Sequence, residues 1–338
     1  MSRNALLDTL RCPACHGTFA VVEQSEVNGD NGLACLICKE RYPIIRGIPR
    51  LLRRQLRDAL LAGHPTSDPQ MRTARSFGYE WSRFPEMYRE WEQTFLDYMQ
   101  PHTADFFRAK KVLDAGCGNG RFAYYAAKYG ADVWAIDLGG AVEVANQNAT
   151  PGGQVHVIQA DLHEPPFAPA SFDFIYSTGV LHHLAEPQKA FVNLLKYLKP
   201  GGEIQIYLYW KPEGQPIKSA LLSLMRGVRQ ITTRLPLPLT HALAFPAALA
   251  AFGFLVWPYQ VLKKIPGLGR AAENIPMKQY AQFPFRVCVN DQLDRFSAPI
   301  ENRYTKQEVL NWLNEAGLED IAVYPNYGWV GIGRKPFS

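Results

Sequence analysis

The sequence predicts an α/β protein built around a mostly parallel sheet, and two observations carry that expectation. From Lys111 onward, short apolar runs alternate with helical segments: "KVLDAG", "ADVWAID", "QVHVIQAD", "FDFIYST" and "GEIQIYLY". Such alternation is the pattern of parallel strands joined by crossover helices. The first run ends in "DAGCGNG", a glycine-rich turn that allows the backbone to approach a ligand closely before a helix begins near Arg121. With 338 residues, 47% of them hydrophobic, the chain is long enough for one large domain with appendages. No internal repeat or low-complexity tract interrupts it.

At the amino terminus, "MSRNALLDTLRC" lacks the basic segment and apolar run of a secretory leader, so a cytoplasmic location is expected. Cysteines follow at once: "CPAC" holds Cys12 and Cys15, and "CLIC" holds Cys35 and Cys38. Each knuckle aims two thiolates of one tight turn at a single ion, and two knuckles complete a tetrahedron suited to Zn2+. A closed tetrahedron leaves no position for substrate, so the metal is expected to be structural. A reducing cytosol disfavours the alternative of disulfides. Together with "YPIIRGIPRLL", these knuckles resemble the Trm112-like zinc-ribbon domain over roughly residues 5 to 55. Members of that family serve as activating or stabilising partners of methyltransferases. The resemblance therefore implies a ribbon domain over residues 1–58 and a methyltransferase beside it.

The glycine-rich turn alone serves a dinucleotide, a flavin or S-adenosylmethionine equally well. Gly116, Gly118 and Gly120 supply its flexibility. Three acids narrow the choice. Asp114 immediately precedes the turn and suits a ligand that carries an ammonium group. Asp137 ends the second strand about twenty residues on, where a carboxylate can accept both ribose hydroxyls. Asp161, in "QADLHEPPF", follows the third strand, where it can accept from an adenine amino group.

With "FDFIYSTGVLHHL" and "LKPGGEI" added, these residues resemble the class I S-adenosylmethionine-dependent methyltransferases (EC 2.1.1.-). The likeness covers about residues 75 to 210 and resumes near Arg303 with "RYTKQEVLNWLNEAGLEDIAVYPNYGWVGIGRK". It implies a Rossmann-like sheet, mostly parallel with an antiparallel last strand, over residues 70–210 and 286–338. It also implies S-adenosyl-L-methionine as cofactor. Asp114 and Gly116 would meet its methionine end, Asp137 with Leu138 its ribose, and Asp161 with Leu162 its adenine. "SFGYEWSRF" also occurs in similar enzymes; Tyr79 and Trp81 are expected either to close over the cofactor or to pack the preceding helix onto the sheet.

A methyl sulfonium is already activated, so transfer mainly requires an aligned nucleophile, exclusion of water and a base where the nucleophile carries a proton. His182 and His183, in "LHHL" after the fourth strand, are the candidate bases, with packing or hydrogen bonding as the competing role for each. No "NPPY" sequence follows that strand, which argues against methylation of an adenine or glutamine amino group. Cys117 and Cys288 do not resemble the paired cysteines of pyrimidine C5 chemistry.

Between Trp210 and Arg303 the family pattern is interrupted by about ninety residues. The formal net charge of +5 is concentrated there, with about +7 between Lys211 and Arg270 and a slightly acidic remainder. In "PIKSALLSLMRGVRQITTR", Ile217, Leu221, Leu224, Met225, Val228 and Ile231 are expected on one helical face beside Lys218, Arg226 and Arg229, with Leu222 out of pattern. The following run from Ala242 to Trp257 has no charge; as a helix of about 24 Å, weakened by Pro246 and Gly253 and stopped by Pro258, it is expected to be too short to span a bilayer. Residues 211–285 thus read as a hydrophobic, basic insert that contacts an anionic membrane peripherally, at the inner membrane surface, or forms a lid over the site. The leading expectation is methyl transfer to oxygen or carbon of a small apolar or lipid-linked acceptor. An RNA methyltransferase is the first alternative, kept by the basic stretch "RGIPRLLRRQLR"; a membrane-docked cofactor-binding module without turnover is the second.

Overall fold

The computed structural model describes residues 3–23, 31–61 and 68–337. Its frame is an eleven-stranded sheet in the order β1-β2-β3-β4-β7-β6-β5-β8-β9-β11-β10. The five apolar runs form the middle: β5 (Lys111–Ala115), β6 (Asp132–Asp137), β7 (Val155–Ala160), β8 (Phe172–Thr178) and β9 (Leu198–Leu208). All five run parallel. They read as nearly unbroken apolar runs because both faces are covered. Leu113, Trp134, Ile175 and Ile204 point into one core layer, while Val112, Val133, Phe174 and Tyr176 point into the other. The helices α5 (Arg121–Lys128), α6 (Ala141–Ala149) and α7 (Pro187–Leu194) make the crossovers. After β9 the sheet closes with α13 (Lys306–Glu315) and the antiparallel pair β10 (Glu319–Pro325) and β11 (Trp329–Arg334). Thr305 and Glu308 form a reciprocal capping box that starts α13 at Lys306.

The amino-terminal segment is joined to this sheet. After α1 (Arg3–Thr9), the strands β1 (Phe19–Glu23), β2 (Asn31–Cys35), β3 (Arg41–Ile45) and β4 (Ile48–Leu51) pair antiparallel in succession. β4 then pairs parallel with β7 through Arg50 opposite Gln159 and Leu51 opposite Ala160. The buried Arg50 guanidinium donates to the Gln159 side chain at 3.3 Å and pairs with Glu143 of α6. The cysteine segment therefore continues the sheet beside the strand that leads to Asp161. Three helices follow: α2 (Arg54–Leu61), α3 (Pro69–Arg83), whose first turn is capped by Asp68, and α4 (Trp91–Tyr98); α3 packs on α6 and on the helix Phe285–Ser297, and α4 on α5.

The insert contains α8 (Pro216–Thr232), α9 (Leu237–Ala251), α10 (Trp257–Leu262), α11 (Gly269–Ala272) and α12 (Phe285–Ser297). Two expectations need correction. The apolar run does not stop at Pro258: α9, a π-helical turn at Phe252–Val256 and α10 form one helix, Leu237–Leu262, of 26 residues. At 1.5 Å per residue it extends about 39 Å and is long and apolar enough to cross a bilayer. The wide turn places Pro258 in the first turn of α10, where a missing N–H is tolerated, and tertiary packing outweighs Pro246. Ala244, Ala248 and Val256 are buried in the same core layer as Val287, Cys288 and Leu293 of α12.

The apolar face of α8 is also split. Leu221, Leu224 and Ile231 point outward, 56–67% exposed, whereas Leu222, Met225 and Val228 are half-buried and Thr232 is buried. Leu222 thus belongs to the inward side. Arg229 leaves the expected basic cluster and pairs at 2.5 Å with the buried Glu301, which also meets Arg303 at 2.8 Å. The side chain of Ile217 lies outside the described ones.

Candidate cofactor and acceptor site

The residues singled out in the sequence gather at the carboxyl ends of the parallel strands, where ligands bind in open α/β sheets. Asp114 stands near the end of β5, Asp137 at the end of β6, Asp161 just after β7, and His182 and His183 in the short turn after β8. Between β5 and α5, Gly118 and Gly120 have φ of +52° and +79°. A Cβ at Gly120 would lie 2.8 Å from the Ala145 backbone, so the turn admits no larger residue there. Asp137 ties this turn together: one carboxylate oxygen accepts the Gly118 N–H and the other the Gly139 N–H, each at 3.0 Å. The Leu138 carbonyl accepts from Gln159 at 2.9 Å, and Leu162 is buried.

The three acids differ electrostatically. Burial raises the Asp114 carboxyl to about 7, opposed by its hydrogen bond with Tyr176. Burial also raises Asp137, against the pull of the Gly139, Gly118 and Leu138 amides. Burial alone would raise Asp161, but His163 outweighs it and holds that carboxylate below its ordinary range. Asp161 accepts from the His163 N–H and meets its ring at 2.9 Å, while Gln70 of α3 donates to its other oxygen at 3.2 Å. An adenine amino group would share this carboxylate with Gln70.

Of the two aromatics in "SFGYEWSRF", Trp81 lies over the turn, its Nε1 only 2.9 Å from where a Cβ on Gly118 would sit. Tyr79 does not join it; its hydroxyl meets His241 of the insert at 3.3 Å. Arg121, at the start of α5, is flanked by the rings of Trp91 at 4.2 Å and Trp81 at 5.2 Å.

The two histidines have different surroundings. His183 Nδ1 donates to the Ile300 carbonyl at 2.7 Å, and the ring meets Phe77 edge-on. His182 is fully buried, has no side-chain hydrogen-bond partner among the described residues, and stacks on Tyr209 at 3.8 Å. Burial, then the neighbouring His183 and Arg303, push its pKa well below 6.5, so the ring is neutral at pH 7. The Tyr209 hydroxyl donates to Asp294 of α12 at 3.4 Å. Beyond it lie further buried polar atoms without partners among the described residues: Asp294 Oδ1, Asn290 Oδ1 and Glu80 Oε2. Burial, with Asp294 and Asp291 nearby, raises Glu80 well above the usual carboxylate range.

Sequence reading missed this second half of the site. Asn290, Asp294 and Ser297 fall at i, i+4 and i+7 on a helix that buries Val287, Cys288, Val289, Gln292 and Leu293. That polar stripe was the available signal.

The four cysteine sulfurs of the amino-terminal segment lie within 4.8 Å of one another, with Cys12–Cys38 at 3.6 Å and Cys15–Cys35 at 3.4 Å. The Tyr42 hydroxyl reaches the Cys12 sulfur at 3.3 Å. Four thiols converging on one point fit a tetrahedral Zn2+.

Residues 113–206 match a family described as a methyltransferase domain. Over that span, the core of the sheet, the chain is similar to a methyltransferase domain. Over 133 residues, the chain is 33% identical to a ubiquinone biosynthesis O-methyltransferase of Idiomarina loihiensis, covering 38% of this chain and 53% of that protein. Over 115 residues it is 36% identical to phosphoethanolamine N-methyltransferase 1 of Triticum aestivum, covering 33% and 23%. Among solved structures, the magnesium protoporphyrin IX methyltransferase of Synechocystis, with bound S-adenosylhomocysteine, overlaps 83% of this chain and 92% of its own at 14% identity and a TM-score of 0.40. The chain spans about half or less of the length of the curated relatives it matches. The cysteine segment and the insert lie outside the matched family region.

Proposed function

We propose that this protein transfers the methyl group of S-adenosyl-L-methionine to oxygen or carbon of a small apolar or lipid-linked acceptor. The observation that carries the reading is the convergence of the glycine turn, Asp114, Asp137 and Asp161 at the strand ends of a methyltransferase domain. Asp114 offers charge to an ammonium group, Asp137 is already oriented by two backbone amides, and Asp161 is held ionised by His163. His182 is the base: buried, neutral and free of side-chain partners, it can accept a hydroxyl or enol proton. His183, already committed to Ile300, positions the turn. Tyr209, Asp294 and Asn290 would orient the polar end of the acceptor, while the apolar insert favours an apolar remainder.

In the same reading, Cys12, Cys15, Cys35 and Cys38 hold a structural Zn2+ in a Trm112-like ribbon. The RNA alternative loses support, because the basic stretch is largely neutralised within the chain. Arg50 pairs with Glu143, Arg53 with Glu164 and Arg57 with Glu40. The test is transfer of a labelled methyl group from the cofactor into an organic-extractable lipid fraction, compared with a soluble metabolite fraction and with ribosomal RNA. Label in the lipid fraction that vanishes with Asp137→Ala supports the reading; label in RNA alone overturns the acceptor class.

A further inference from the structure

We infer that the outer side of the insert is a docking surface for an anionic lipid bilayer, on which the Leu237–Leu262 helix lies flat rather than crossing. The helix has two unlike sides. Outward, Phe245, Leu249, Phe254 and Trp257 are 54–81% exposed. Water is a poor solvent for so much exposed apolar surface. Inward, Thr240, Ala244, Ala248 and Val256 are buried, and α12 is the principal packing partner of α9.

The helix is tied to the protein body near both ends. The Thr240 hydroxyl donates to the Thr232 carbonyl at 3.3 Å, and His241 meets Tyr79 of α3. At the far end, Gln260 donates to the Ala281 carbonyl at 3.2 Å and the Tyr259 hydroxyl to Glu273 at 3.3 Å. A crossing helix would present every side to lipid or to other spanning helices and would break these ties. A helix lying along the surface keeps them and places only its outer side in the boundary between headgroups and acyl chains.

Charge selects the occupant. From Gly214 to Ala272 the chain has no acidic residue. Arg229 is used internally, but Lys218, Arg226, Arg234, Lys263, Lys264 and Arg270 are exposed. Cations beside exposed apolar side chains match an anionic headgroup layer. A second copy of the chain is a poorer occupant, since a two-fold interface would set this cationic face against itself.

The inference deepens the proposed function and rests on it in one respect. α12 packs against the outer helix and, through Asp294, meets Tyr209, which stacks on His182, so the docking surface and the acceptor side of the site share one helix.

The test is sedimentation of the full chain with vesicles of phosphatidylcholine alone and of phosphatidylcholine with phosphatidylglycerol, alongside Phe254→Ser/Trp257→Ser and Lys263→Glu/Lys264→Glu. Binding of S-adenosylhomocysteine, which requires no acceptor, reports whether each variant is folded and separates failure of docking from failure of the enzymatic reading. Binding to the anionic vesicles, reduced about tenfold or more by either double variant, is the expected result. Absence of binding to both vesicles overturns the inference. So does equal binding to both vesicles, or salt-independent dimerisation through Phe254 and Trp257 in sedimentation velocity. Burial of Phe254 and Trp257 deep enough to be quenched from the bilayer centre would overturn the flat geometry.

Discussion

In the proposed function the chemistry turns on His182 and Asp114, and each has a distinct experimental signature. Because burial keeps His182 neutral well below pH 6.5, the acidic limb of kcat/KM lies below that pH, and the rate is flat above it until another group titrates. His182→Ala should lower kcat by about 100-fold or more while leaving cofactor affinity unchanged; pre-steady-state methyl transfer would show it. A variant with full kcat removes His182 from the chemistry. Asp114 behaves in the opposite sense. Its carboxyl rises from 3.8 to about 7 on burial, so its contribution to apoprotein stability is present below pH 4 and is lost as pH rises toward 7. A ligand bearing an ammonium group favours the ionised form, so cofactor affinity should increase with pH up to about 7, with proton release on binding. Calorimetry in buffers of different ionisation enthalpy measures that release, and Asp114→Asn should abolish it. At this scale the sequence located the glycine turn and the acids that the structure gathers at the strand ends, because glycines and acids there have narrow geometric uses. It was silent about Glu80, Asn290 and Asp294, since their proximity depends on how the insert folds back over α3 and the sheet.

The central strands were readable as elements because strands covered on both faces have uninterrupted apolar runs bounded by turns. The insert was harder. Proline is expected to end a helix, yet a π-helical turn and a buried alanine stripe carry the chain through Pro246 and Pro258 to Leu262. Periodicity also misassigned α8, because Leu222 and Arg229 both face inward and the charge of Arg229 is matched by Glu301, far away in sequence. That pairing has a measurable consequence. Burial by itself would raise Glu301, but Arg303 and Arg229 hold it below its ordinary range. Its stabilising effect is therefore present above about pH 4.5 and lost as pH falls through the lowered folded value. Glu301→Gln leaves two cations without their acid and should cost about 3 kcal/mol, read from denaturant unfolding, with faster amide exchange along α8. Unchanged exchange in α8 would mean that packing alone holds it.

At the scale of the whole molecule, the cysteine segment and the parallel strands β5 to β9 share one sheet. The spacing of Cys12, Cys15, Cys35 and Cys38 made the four-cysteine cluster legible; the pairing of β4 with β7 was not, because edge pairing depends on tertiary placement and leaves little local trace. Removal of Zn2+, or Cys12→Ser, should loosen β4 and the Arg50–Glu143 contact and weaken cofactor binding several-fold, although no cysteine touches the glycine turn. Metal analysis with parallel cofactor titration checks this; undiminished affinity in metal-free protein would make the ribbon an independent module. Calorimetric titration of the intact protein and of Asp137→Ala with S-adenosylhomocysteine probes the whole interpretation. Micromolar binding by the intact chain, weakened about tenfold or more in the folded variant, is the expected result, since Asp137 orients the glycine turn and in the proposed function would hold the ribose. No binding by the intact chain, or equal binding by both, would contradict the assignment of this site to the cofactor.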